Sequence, residues 1–141
     1  MAQVDIKNLT RRSLPRFAYT AIAQEVLPGW EISLVFIGEK KARDLNELLR
    51  GKSYVPNVLS YALSNKNGEI FICLAEASRQ APHHAMSERK FVLYLFIHGL
   101  LHLKGMAHGA TMEACEHRFL TRFLPRRART HAHEAPHRNR H

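Results

Sequence analysis

Cysteine is nearly absent from these 141 residues. Cys73 and Cys115 are far apart and no C-x-x-C pattern frames either, which argues against a disulfide framework. Both read as small buried hydrophobes. Long apolar runs are missing too. None reaches the length of a membrane span, and the longest lies between Phe91 and Leu103. The opening Met1-Ala2-Gln3-Val4-Asp5 lacks a signal-peptide pattern, so the expected compartment is the cytoplasm. Acidic residues are scarce: 12 against 21 lysines and arginines, a net charge of +9. Five arginines and one glutamate follow Pro125, so +4 of that charge lies there and +5 in the rest of the chain. A basic body with a basic tail points to a polyanionic partner, most simply RNA. The plainer reading is a solvated surface with an incidental excess of charge.

What is present suits one domain with one core. The length fits a single hydrophobic centre, and 45% hydrophobic residues is ordinary for a globular chain. Val4-Asp5-Ile6 alternates as a short strand does. Ser13 or Thr10 can open a helix that tolerates Pro15 in its first turn and carries Phe17, Ala18, Ala21, Ile22 and Val26. Pro28-Gly29 stops it. Residues 31 to 37 form a strong strand, rich in branched and aromatic side chains. A helix from Glu39 to about Leu49 follows, with Ala42, Leu45, Leu48 and Leu49 on its apolar face and Gly51 after it. Val58 to Tyr61 and Glu69 to Leu74 read as two neighbouring antiparallel strands around an Asn65-Lys66-Asn67-Gly68 turn. A helix from Ala75 to about Ala81 closes at Pro82. His83-His84 fall in a linker and read as surface residues able to touch RNA. A last helix, from about Thr111 to Leu124, carries a core stripe of Met112, Cys115, Phe119 and Phe123. The expected fold is α/β (α+β): a single domain with a mixed four-stranded sheet packed with helices. It is expected over residues 1–125, with a disordered basic His/Arg-rich tail over 126–141.

The chemistry gathers in one stretch, residues 96 to 108, where three histidines are spaced H-x3-H-x5-H. Ser87 can cap the helix that carries them, and Glu88 sits in its first turn. An almost unbroken apolar run predicts that this helix is buried. His98 and His102, four apart, share one face. Gly105 falls where a helix ends in a left-handed cap, after which the chain can turn back and bring His108 to the same point. This makes a zincin-like three-histidine metal site with an open fourth position, as in catalytic zinc centres. Core histidines bonded to backbone are the plain alternative. That alternative is costly, because each unsatisfied buried polar group costs roughly 1–3 kcal/mol against a total stability of roughly 5–15 kcal/mol. In the peptidase motif H-E-x-x-H a glutamate follows the first histidine as general base; here the position is Gly99.

His98-Gly99-x-Leu101-His102-Leu103-x-Gly105-x-x-His108 resembles the H-G-x-L-H-L-x-G-x-D-H signature of the YbeY family, bacterial metal-dependent endoribonucleases of ribosomal RNA maturation. Ala107 stands where the family usually has aspartate. Leu45-Asn46 with Arg50 resembles the family's L-N-x-x-x-R segment, and Pro56-Asn57-Val58-Leu59-Ser60-Tyr61 its T-D-V-L-S-F strand, with Asn57 and Tyr61 as departures. Gly68-Glu69-Ile70-Phe71-Ile72 and Met112-Glu113-Ala114-Cys115-Glu116 are similar to its G-[DE]-I-x-I and M-E-x-x-E segments. The resemblance covers roughly residues 30 to 124.

The resemblance implies a mixed sheet with helices against it and one zinc ion per chain on His98, His102 and His108. It implies a catalytic role for Arg50, whose planar fork matches phosphate oxygens; without it, Arg50 reads as a solvated residue at a helix end. It further implies single-strand-specific cleavage in small-subunit ribosomal RNA maturation, with ribosomal RNA and the small ribosomal subunit as partners and no membrane. Ala107 and Asn57 both remove carboxylates, which motivates an alternative: a catalytically weak RNA-binding assembly factor with a structural zinc. A zinc hydrolase of peptides or small molecules is the third reading, and Gly99 weighs against its peptidase form.

Overall fold

The computed structural model describes residues 1–124. The expected tail over 126–141 lies outside the described residues. Four strands form one sheet: β1 (Gln3–Asn8), β2 (Glu31–Ile37), β3 (Val58–Ser64) and β4 (Asn67–Cys73). Their spatial order is β1-β2-β4-β3, with β1 and β4 parallel to β2 and β3 antiparallel to β4. The sheet is therefore mixed, as the two neighbouring antiparallel strands implied. Among the described residues there are five α-helices: α1 (Tyr19–Val26), α2 (Glu39–Arg50), α3 (Leu74–Gln80), α4 (Glu88–Lys104) and α5 (Ala110–Phe123), with a single 3-10 turn at Ala81–His84.

Alternation along β2 and β4 decides which helices go where. Ile32, Leu34 and Phe36 with Ile70 and Ile72 point to one face and join the larger core with α1, α4 and α5. Val35, Ile37, Phe71 and Cys73 point to the other, where Ala42 of α2 and Leu59 complete a smaller cluster. Burial on both faces is why these strands read as near-continuous apolar runs. The 17-residue α4 is buried along most of its length: Phe91, Val92, Leu93, Phe96, Ile97 and Leu100 are fully enclosed. Its approach to β4 is close. A Cβ on Gly99 would sit 3.2 Å from two carbons of Ile70, and one on Gly68 2.8 Å from a methyl of Leu103. Among the described residues no helix is long and apolar enough to cross a membrane.

Several boundaries differ from expectation, among them β3, which runs on to Ser64, and two of the differences have a local cause. The first helix begins at Tyr19, not at Thr10 or Ser13. Asn8 Oδ1 accepts from the Thr10 N–H at 2.9 Å and its hydroxyl at 2.7 Å, while Thr10 Oγ accepts from the Arg12 N–H at 3.1 Å. These polar side chains close local turns, so they compete with a helix instead of capping it. The hairpin turn uses only Asn65 and Lys66, the latter left-handed at φ 60°, so that Asn67 and Gly68 join β4.

Candidate metal centre

The chain builds the site from one rigid helix and the turn after it. Ser87 Oγ accepts a hydrogen bond from the Lys90 N–H at 3.1 Å, the expected N-cap of α4. The helix ends at Gly105, φ 105°, a backbone state that L side chains rarely adopt. The Gly105 N–H bonds to the His102 carbonyl at 2.9 Å and the Met106 N–H to that of Leu101 at 3.1 Å. This reciprocal pair is a Schellman ending. The chain reverses there, and α5 starts two residues after His108.

The reversal brings the three histidines together. Ring centroids of His98 and His102 are 4.5 Å apart, of His102 and His108 4.6 Å, and of His98 and His108 5.2 Å. One ring nitrogen of each lies within 4.8 Å of the others. His98 and His102 are half-buried and His108 is exposed, so the cluster opens to solvent on the His108 side. Burial, reinforced by the neighbouring His98 and His108, lowers the pKa of His102 below its ordinary value. The imidazole is thereby kept neutral with a lone pair available, the form a metal ion requires.

Glu116 of α5 supplies the outer support. Its carboxylate, almost wholly buried, pairs with Nδ1 of His98. With Nδ1–H donated to a carboxylate, Nε2 is the atom left for a metal, the usual carboxylate–histidine arrangement. Tyr94, one turn before His98, completes the network. Its ring lies 5.8 Å from that of His98 and its hydroxyl bonds to Glu116. Burial, then the Glu116 charge and this bond, push the Tyr94 phenol up to about 12. Three imidazoles, one fixed by a buried carboxylate, form a donor set that fits a divalent ion and leaves a coordination position open.

Glu116 was visible in the sequence only as part of the M-E-x-x-E segment, with no role attached. Ala107 is exposed beside His108 and contributes no polar group. The carboxylate support therefore arrives from the following helix, not from the position before the last histidine.

Arg50 lies elsewhere. It is exposed at the end of α2, with Nη1 3.4 Å from Oδ1 of the wholly buried Asn46. Asn46 in turn donates to the Tyr54 carbonyl at 3.0 Å, so the L-N-x-x-x-R segment pins the loop after α2. Arg50, Tyr54, Asn57, Glu76, Arg79 and Gln80 line a cleft of about 530 Å³, and none of the three histidines is in its lining. Asn57 donates to Gln80 Oε1 at 2.7 Å and Gln80 to Glu76 at 2.6 Å. His83 and His84 are exposed in the 3-10 turn and outside the three-histidine group, in line with their surface reading. Cys73 is buried, as expected, whereas Cys115 is only partly so.

The comparisons with known proteins agree with this geometry. A family profile described as Endoribonuclease YbeY matches residues 2–123. A protein of Alkaliphilus metalliredigens named Endoribonuclease YbeY is 31% identical over 128 residues, covering 82% of this chain and 83% of its own length. Proteins of the same name from Neisseria meningitidis and Spiroplasma citri are 32% and 34% identical over 69% and 55% of this chain. Those matches span only 63% and 58% of the relatives themselves. A Thermotoga maritima protein solved in solution shares the fold with a TM-score of 0.63 at 21% identity, over 84% of this chain and 87% of its own. The profile spans the whole sheet, the histidine helix and Glu116, and the chain belongs to the YbeY endoribonuclease family.

Proposed function

We propose that this chain is a metal-dependent endoribonuclease that cuts single-stranded RNA, acting in the cytoplasm in small-subunit ribosomal RNA maturation and ribosome quality control. The observation that carries the reading is the convergence of His98, His102 and His108, with Glu116 behind them, in a chain of this family. Zinc, one ion per chain, suits three neutral imidazoles with a free position. When bound, the ion supplies Lewis acidity toward a phosphoryl oxygen and toward water near neutral pH.

The chain's own residues do the rest. Glu116 holds the Nδ1 proton of His98 and so fixes which nitrogen faces the open side. The net charge of +9 gathers a polyanion, and Arg50, in its separate cleft, offers its fork to a phosphate of the strand. Gly99 faces Ile70 of β4, so the position after His98 points into the helix–sheet contact and gives no peptidase base.

The test is turnover of single-stranded ribosomal RNA fragments by nuclease-free protein. His98→Ala is expected to fall to background and Arg50→Ala by about a hundredfold, the size of a lost transition-state charge contact. Equal rates for wild type and both variants would sink the proposal. A second reading, an RNA-binding assembly factor with a structural zinc, is favoured by Ala107 and Asn57, which replace carboxylates. RNA binding with no metal-dependent cleavage would select it.

A further inference from the structure

A file of rings leads away from the three histidines along α4. Tyr94 lies 5.8 Å from His98 and stacks on Phe91 at 5.7 Å with planes 14° apart. The imidazole of His84 lies on Phe91 at 4.7 Å, planes 27° apart, and 6.4 Å from Tyr94. Phe91 is fully buried, Tyr94 half-buried and His84 exposed. Residues 91, 94 and 98 are three and four apart and so share one face of the helix. His84 reaches that face from the 3-10 turn. The turn is set by Pro82 and by Ala85 at φ 56°, with the Met86 N–H bonded to the Ala81 carbonyl at 3.1 Å. The metal site makes no use of His84.

We propose that His84 is a stacking platform for an unpaired base of the RNA strand whose phosphate lies at the three-histidine site. The inference rests on the RNA reading above and adds a named contact to it. Ring-to-ring steps of 6.4 and 5.8 Å put His84 within a dinucleotide's reach of His98. The imidazole is held by its stack on Phe91, so binding a base costs it little side-chain entropy. No other ring lies against it among the described residues besides Phe91 and Tyr94. Stacking on a π-face accepts any base but needs that base unpaired, which matches single-strand preference without sequence readout.

A ring that merely covered Phe91 would be replaceable by an aliphatic side chain, and its loss would register in stability alone. The experiment therefore compares wild type, His84→Ala, His84→Leu and His84→Phe on short single-stranded RNA oligonucleotides. One abasic nucleotide is moved along the strand, and both affinity and cut position are read. An abasic residue at one fixed offset from the cut is expected to weaken the wild type and His84→Phe about tenfold. The alanine and leucine variants should bind the intact strand about tenfold more weakly and show no penalty at that offset. Wild-type affinity in both, or the wild-type abasic profile in either, would overturn the inference. Wild-type protein that binds none of the strands would sink the RNA reading itself, and this contact with it.

Discussion

At the scale of single residues, the support behind the ligands sets how tightly a metal is held. Glu116 is buried and shared between His98 and Tyr94. Glu116→Gln keeps the shape and removes the charge. It is expected to weaken metal affinity by roughly 10–100-fold, measured by chelator competition. An unchanged affinity would mean that the carboxylate serves only packing. The tyrosines give a pH signature. Burial and Glu116 push Tyr94 up to about 12, while burial and the bond to Glu69 do the same for Tyr61. Both folded-state values lie above the ordinary ~10. The fold thus favours the protonated phenols: their contribution is whole below about pH 10 and fades as pH rises toward 12. Denaturant midpoints should fall across that window, and phenolate absorbance should appear late for these two residues. A midpoint that stays flat between pH 10 and 12 would contradict the assignment. The three-histidine cluster was legible from sequence because helical period places His98 over His102 and the stop at Gly105 lets the chain bring His108 back to them. Glu116 was not, since a carboxylate in the next helix shows its partner only when the crossing of α4 and α5 is known.

At the scale of elements, α4 carries the site and its two ends are the best-specified points in the chain. Ser87 caps one end and Gly105 the other, and both are sequence signals with a local mechanism. Ser87→Ala should lower stability by about 1 kcal/mol in a denaturant titration while leaving metal content unchanged. Loss of metal at full stability would instead place the cap inside the site's own geometry. The β2 and β4 strands were readable for a related reason: buried on both faces, they leave little choice of residue. The stretch before α1 was not, because Asn8 and Thr10 offer backbone partners that helical spacing cannot reveal. The turn at His84 was also hidden. A proline after a helix marks a stop, but the direction taken afterwards depends on Ala85 entering the left-handed region.

At the scale of the whole molecule, a mixed sheet gives α4 an apolar bed: Gly99 lies against Ile70 and Leu103 against Gly68 of β4, while His98 pairs with Glu116 of α5. Shared architecture with the Thermotoga protein at 21% identity fits a fold held by pattern more than by particular residues. The charge of +9 is a property of the entire chain, and +4 of it follows Pro125, outside the described residues. The folded domain is expected to hold, by itself, a metal ion on His98, His102 and His108. The most direct test is elemental analysis of untagged wild type, His102→Ala and a chain truncated after Pro125. About one zinc per chain is expected in the wild type, retained on truncation and lost in His102→Ala. Wild-type protein without metal, or metal that leaves only with the tail, would contradict it.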